Sequence, residues 1–395
     1  MQTSRMHSRR SALRFLAAPA LLRPVGRFAF STIGAGLIAL SEAPYAQTSA
    51  STQKVTVRFA TNRNETGGDE MFGSGFRSVD PSAFVTGTVD VYHRGGIPHP
   101  NWCPDPNSLH IDPAPTAVLA FIADQLRIEA RKGINAGPGI VFLPGFNSTF
   151  TQSMSASAAI MAAYGAQNVV CFSWPSQGEF GLLPYLKDRD SAYASGDAIA
   201  QSFSAAFSKL LRVERTKRPR LHIVCHSMGN RAFGAALQYI PPQLLAAQYF
   251  EYAFLMAADE NYDALDEHGK LEPLLTLAAN IEVYTNNNDA AMFLSQIVNF
   301  HAPLGSFGPG NFGQLPSKVI WIDCTQVGST YENDGSSDWG HQYYRLSEPV
   351  TADVHQVLVG IPPNKVSPRI PDYQFPTRKF VIPAVLSSAW AQRTS

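Results

Sequence analysis

Five consecutive residues carry the clearest chemistry in the chain: Cys225-His226-Ser227-Met228-Gly229. The apolar run at 221–225 reads as a strand, and residues 230–239 read as a helix. A serine on a sharp strand-to-helix turn takes the form G-x-S-x-G, since the residues two before and two after it must be small. Gly229 meets that demand. Cys225 stands where the first glycine would, small but carrying a Cβ. The competing reading is a serine that only caps the helix, a role serine fills well. A strand before and a helix after favour a nucleophile.

A serine hydroxyl is barely nucleophilic at neutral pH, so it needs a base, and the base needs an orienting acid. Asp289 lies in Asn286-Asn-Asn-Asp-Ala-Ala, straight after a strand read at 280–285. His341 lies in Trp339-Gly-His-Gln-Tyr-Tyr, in the loop after a strand read at 318–324. Serine, acid and base then follow in the order Ser227, Asp289, His341. His341 would take the Ser227 proton, and Asp289 would fix its tautomer. His301 is the second choice for base and Asp259 for acid. His226 is expected to order the turn, His268 and His355 to lie at the surface, and Asp323 to hold a loop. The backbone N–H groups of Phe146, in Pro144-Gly-Phe-Asn, and of Met228 are the expected oxyanion donors, each typically worth about 3 kcal/mol. A plain strand-to-helix turn is the bland alternative there. Trp174 and Phe180 are candidate apolar walls of an acyl pocket, with Trp174 equally well read as core.

Elements must bring these residues together. Further strands are read at 55–60, 84–92, 139–143, 168–174 and 252–257, and helices at 117–131, 152–164, 192–213 and 271–279. Residues 94–113, rich in Gly, Pro and Asn, read as a long loop. Short apolar strands alternating with helices imply an α/β fold, a mostly parallel central sheet with helices on both faces. The C-terminal ends of parallel strands share one edge, where the three candidates can meet. One domain over 53–360 is the simplest division, with 361–395 expected as a tail packing on the surface.

Composition removes other classes. With 31 Lys+Arg against 31 Asp+Glu there is no basic excess for nucleic acid. Hydrophobic residues at 45% make up a packed protein rather than a disordered one. Four cysteines in 395 residues form no disulfide framework, and no CxxC, HExxH or Walker pattern supports a metal or nucleotide. Cys171, Cys225 and Cys324 are expected as buried thiols, with Cys103 in a loop.

The first 46 residues read as an export signal. Six arginines and no acid precede Glu42, a thirteen-residue apolar run spans 28–40, and small residues end at Ala46. The run is short for a stable membrane anchor. Arg9-Arg10 suggests the twin-arginine route as well as the general one. A periplasmic or extracellular location follows, and the remainder of the chain is mildly acidic.

Taken together, Val57-Arg-Phe-Ala-Thr-Asn-Arg, Gly145-Phe-Asn, Phe172-Ser-Trp-Pro-Ser-Gln-Gly, Asp188-Arg-Asp-Ser-Ala, His226-Ser-Met-Gly-Asn-Arg and Gly340-His-Gln-Tyr-Tyr resemble the α/β-hydrolase superfamily. Within it the chain is similar to the esterase/lipase-like branch catalogued as domain-of-unknown-function family 900. The resemblance implies a serine hydrolase without a cofactor and names no substrate; a small-molecule ester or acyl substrate is expected, with esters favoured over amides by the resemblance alone. Cys225 and Pro144 depart from the family pattern. A hydrolase-fold binding protein without activity and a serine peptidase are the alternatives.

Overall fold

The computed structural model describes residues 53–94, 101–133, 136–327 and 340–384. The expected export signal at 1–46 lies outside them. The strands are β1 Lys54–Thr61, β2 Arg63–Gly67, β3 Met71–Phe76, β4 Val85–Arg94, β5 Asn101–Pro104, β6 His110–Pro113, β7 Gly139–Leu143, β8 Asn168–Ser173, β9 Leu221–His226, β10 Phe250–Met256, β11 Ala278–Thr285, β12 Val319–Asp323, β13 Ile370–Pro371 and β14 Lys379–Val381. The longer helices are α1 Thr116–Lys132, α2 Phe150–Ala163, α3 Leu182–Ala194, α4 Gly196–Leu211 and α5 Gly229–Leu237. Single turns follow at α6 Pro242–Leu245 and α7 Leu274–Leu277, then α8 Ala290–Asn299, the turns α9 Leu304–Phe307 and α10 Tyr343–Leu346, and α11 Glu348–Leu358.

Among the described residues the main sheet runs β13-β14-β12-β11-β10-β9-β7-β8-β1-β4-β5, with β6 also on β4. From β1 through β14 each neighbouring pair is parallel, and the margins β4, β5, β6 and β13 are antiparallel. This is the α/β architecture expected, a mostly parallel sheet with helices on both faces. Alternation along each strand divides the core into two layers. On β9, Leu221, Ile223 and Cys225 face one layer with Phe121 of α1, Phe203 of α4 and Phe233 of α5. Val224 faces the other, with Phe150 and Met154 of α2 and Val350 and Val354 of α11. Because both faces are covered, β8 and β9 are buried along their whole length, which is why they read as unbroken apolar runs.

Four expectations change. The helix read at 192–213 is two helices meeting at Ser195, whose Oγ donates to the Ser191 carbonyl at 2.8 Å and accepts from Asn62 Nδ2 at 3.0 Å. A serine hydroxyl that takes a helix carbonyl competes with the backbone and marks such breaks. The loop read at 94–113 holds β5 and β6, which extend the sheet along β4. The helix read at 271–279 shrinks to Leu274–Leu277, because the chain from Ala278 enters β11. The tail from 361 does not only cover the surface: Lys379–Val381 pairs with β12, and Phe380 and Ile382 are buried. In the same tail Arg369 is buried, donating to Glu282 Oε2 at 2.6 Å and to Asp353 Oδ2 at 2.7 Å. Two buried carboxylates therefore depend on a cation from the end of the chain.

Candidate active site

Ser227 sits at the end of β9 with φ 51°, in the left-handed region that non-glycine residues rarely enter. Its N–H donates to the Met256 carbonyl at 2.9 Å, and its carbonyl accepts from the Asn230 and Asp259 amides at 3.0 and 3.1 Å. Those bonds hold the strained turn. A Cβ on Gly229 would lie 2.3 Å from the Leu143 carbonyl oxygen, so only glycine fits there. The opposite small position is less demanding. Cys225 points into the core layer under α5, where its Cβ and sulfur are packed and burial pushes the thiol well above its ordinary range. It is inert as a nucleophile and does not obstruct the turn.

The loop after β7 packs directly on this turn. A Cβ on Gly145 would lie 2.7 Å from Ser227 Cβ and 3.0 Å from His226 Nδ1. Among the described residues the N–H groups of Phe146 and Met228 have no intramolecular acceptor. Pro144, which lacks an N–H, contributes its carbonyl instead, accepting from Trp174 Nε1 at 2.8 Å. Trp174 is fully buried, so it braces this loop from within the core. Phe180 is 66% exposed with its ring 6.1 Å from that of Phe146, and Leu182 and Leu183 beside it are exposed too.

A buried polar scaffold, not singled out in the sequence reading, holds the same loop from behind. Arg63 donates to the carbonyls of Ser148 at 2.6 Å, Ser176 at 3.0 Å and Gly73 at 2.9 Å, and to Ser173 Oγ at 3.0 Å. Asp188 accepts from Ser176 Oγ, from the Gln177 amide at 2.8 Å and from the Asn147 amide at 3.4 Å. Burial lowers Arg63 to about 9 and raises Asp188, and the attraction between the two charges offsets part of each. Both residues stood in the stretches that carry the family resemblance. No local pattern identifies their role, because their partners are distant backbone groups.

The acid and base candidates are in contact. Asp289 is buried at the N-cap of α8, where its Oδ1 accepts from the amides of Ala291 at 2.9 Å and Met292 at 3.1 Å. Its Oδ2 lies 2.7 Å from His341 Nδ1. With Nδ1 protonated toward the carboxylate, Nε2 is left as the basic nitrogen. The backbone around His341 is tied down on each side. Asn286 Nδ2 donates to the Gly340 carbonyl at 2.8 Å. His226 Nε2 lies 3.1 Å from the His341 carbonyl, and the two imidazole rings are 4.6 Å apart. Tyr343 Oη donates to the Tyr284 carbonyl and accepts from the Ala257 amide, both at 2.9 Å. Tyr344 stacks on His226 at 4.2 Å.

His226 thus does more than order its own turn. Burial holds its imidazole far below the ordinary histidine range, with the neighbouring His341 acting in the same direction. It stays neutral, and its Nε2–H donates to the His341 carbonyl.

The second choices are elsewhere. Asp259 is buried in its own network, accepting from Arg231 at 2.8 Å, Tyr185 Oη at 2.8 Å and Ser295 Oγ at 2.6 Å. His301 and His268 are exposed, and His355 is exposed with Nδ1 3.1 Å from the Tyr164 carbonyl. Asp323 holds the Thr325 amide at 2.8 Å. Cys171 and Cys324 are buried, while Cys103 is half-buried on β5 rather than in a loop. Among the described residues no three His, Cys, Asp or Glu side chains are grouped to hold a metal ion.

A family model described as "Alpha/beta hydrolase of unknown function (DUF900)" matches residues 117–359, more than half of the chain. Among solved structures the chain is similar to the peroxisomal alpha-beta-hydrolase Lpx1 of Saccharomyces cerevisiae, at 13% identity, over 69% of this chain and 74% of that one, with a TM-score of 0.22. No curated protein matches.

Proposed function

The chain belongs to the DUF900 family of alpha/beta hydrolases, and from that premise we propose an exported serine hydrolase that cleaves small carboxylic esters. The observation that carries the reading is the 2.7 Å contact of His341 Nδ1 with Asp289, in a segment bonded to the residue next to Ser227. In the proposed reaction Ser227 Oγ attacks the ester carbonyl carbon while His341 Nε2 accepts its proton. The Phe146 and Met228 amides receive the oxyanion. His341 returns the proton to the leaving alcohol, and the acyl group remains on Ser227. Water, deprotonated by the same imidazole, then releases the acid. Asp289 keeps the ring oriented and offsets the imidazolium charge. No cofactor enters.

The preference for an ester with an apolar acyl group draws support from Phe180, Leu182 and Leu183, which offer exposed apolar surface near the buried Phe146 of the oxyanion loop. Export rests on the basic and apolar leader alone. The N-terminal sequence of protein recovered outside the cytoplasm is expected to begin after Ala46 or a neighbouring small residue.

The test is covalent labelling by a fluorophosphonate. Wild type is expected to label, Ser227→Ala to lose all labelling, and His341→Ala to slow by several orders of magnitude. Folded wild type that does not label, and that hydrolyses neither p-nitrophenyl esters nor the matching anilides, would sink the reading. Faster turnover of anilides than of esters would replace the esterase by an amidase or peptidase.

A further inference from the structure

We infer that His226 is a positioning residue that sets the nucleophile, the base and the oxyanion loop in register with one another. The inference rests on the proposed hydrolase reading. His226 meets all three parts. It is the covalent neighbour of Ser227. Its Nε2–H donates to the carbonyl of His341 at 3.1 Å. On its other side Gly145 packs so closely that a Cβ there would lie 3.0 Å from His226 Nδ1.

The geometry explains why a histidine serves here. Residue 226 ends β9, and its side chain must cross to a loop that follows β12, two strands beyond β10 in the sheet. The reach needs a flat ring that fills the gap between Gly145 and Tyr344, 4.2 Å from the ring centre, and that also carries one donor at its tip. A neutral imidazole supplies a single N–H there, so it holds the His341 backbone without competing for the Ser227 proton. Without that donor the His341 backbone loses the bond that ties it to the residue beside Ser227, and it would shift. A shift of about 1 Å at a base is enough to cost on the order of a hundredfold in rate.

Two variants separate the donor from the ring. His226→Phe keeps a flat ring against Tyr344 and removes the N–H. His226→Gln returns an N–H donor at nearly the same reach without the aromatic ring. Both are measured beside wild type for kcat and KM on p-nitrophenyl butyrate, for the fluorophosphonate labelling rate, and for the thermal midpoint. The expected result is a loss in kcat and labelling of roughly a hundredfold in His226→Phe with KM within about twofold. His226→Gln should recover to within about tenfold of wild type.

Wild-type kcat in folded His226→Phe would overturn the inference, and so would equal losses in the two variants, which would assign the effect to ring packing alone. If His226→Phe does not fold, His226→Gln decides alone: a loss as large as that in His341→Ala overturns the inference, and near wild-type turnover supports it. An inert wild type would bring down the hydrolase reading and this inference with it. An active wild type with indifferent variants removes only the role of His226.

Discussion

At the scale of single residues, the histidines divide by what surrounds the ring. His341 has a carboxylate on one nitrogen, and in the proposed reaction it exchanges a proton at the other. His222, four residues before His226 on β9, is fully buried and has no hydrogen-bond partner for either ring nitrogen. Glu251 Oε2 lies 3.8 Å from its Nε2, too far to offset the loss of water around a charged ring, and desolvation pulls its pKa from 6.5 to about 3. Between those values the unfolded chain binds a proton that the folded chain refuses. The contribution to stability is therefore fully present above 6.5 and is lost as the pH falls toward 3, at up to about 1.4 kcal/mol per pH unit. Thermal unfolding of wild type is expected to move to lower temperature across this window, and His222→Leu should flatten the slope. An unchanged slope in His222→Leu would refute this account. His226, held neutral by the same cause, tilts the curve in the same direction.

Among the elements, α8 joins structure to chemistry through its N-cap. Asp289 gives one carboxylate oxygen to the helix amides and the other to His341. Asparagine caps helices about as well as aspartate. Asp289→Asn is therefore expected to unfold within a few degrees of wild type, while kcat falls by roughly four orders of magnitude, since an amide can present the wrong partner to the imidazole. Equal activity in the two proteins would remove Asp289 from the site.

Legibility followed the same division of labour. The contact of Asp289 with His341 could be anticipated because each, like Ser227, follows an apolar strand, and parallel strands deliver their ends to one edge. Arg63 could not: its carbonyl partner on Ser176 lies 113 residues along the chain, and only the folded sheet brings the two together. The break at Ser195 was hidden because the apolar spacing runs through it, and only the bond from Asn62 shows why the helix stops. The margins β5 and β6 were missed because Pro- and Gly-rich sequence is compatible with edge strands as well as with loops.

In the whole molecule each core layer closes over a buried ion pair. In the layer of α1, α4 and α5 the pair is Arg231 of α5 with Asp259, 2.8 Å apart. The other contains the charge cluster of Arg369, Glu282 and Asp353, with Tyr284 Oη donating to Asp353 Oδ1 at 2.6 Å and lying 2.9 Å from Glu282 Oε2. Removing the cation leaves two buried carboxylates facing each other. Arg369→Met is expected to cost about 3–5 kcal/mol in denaturant unfolding, far more than a surface substitution. A loss under about 1 kcal/mol would mean that water reaches the pair.

That cluster also gives the fold a direction in time. Glu282 and Asp353 leave the ribosome before Arg369, and β14 emerges after all of them. A nascent chain that lacks only its final segment already holds Ser227, Asp289 and His341, yet it carries two carboxylates that its own interior cannot accept. The native state therefore waits for Arg369 to reach the sheet, and a chain cut before that residue is expected to lose the fold along with its last strands.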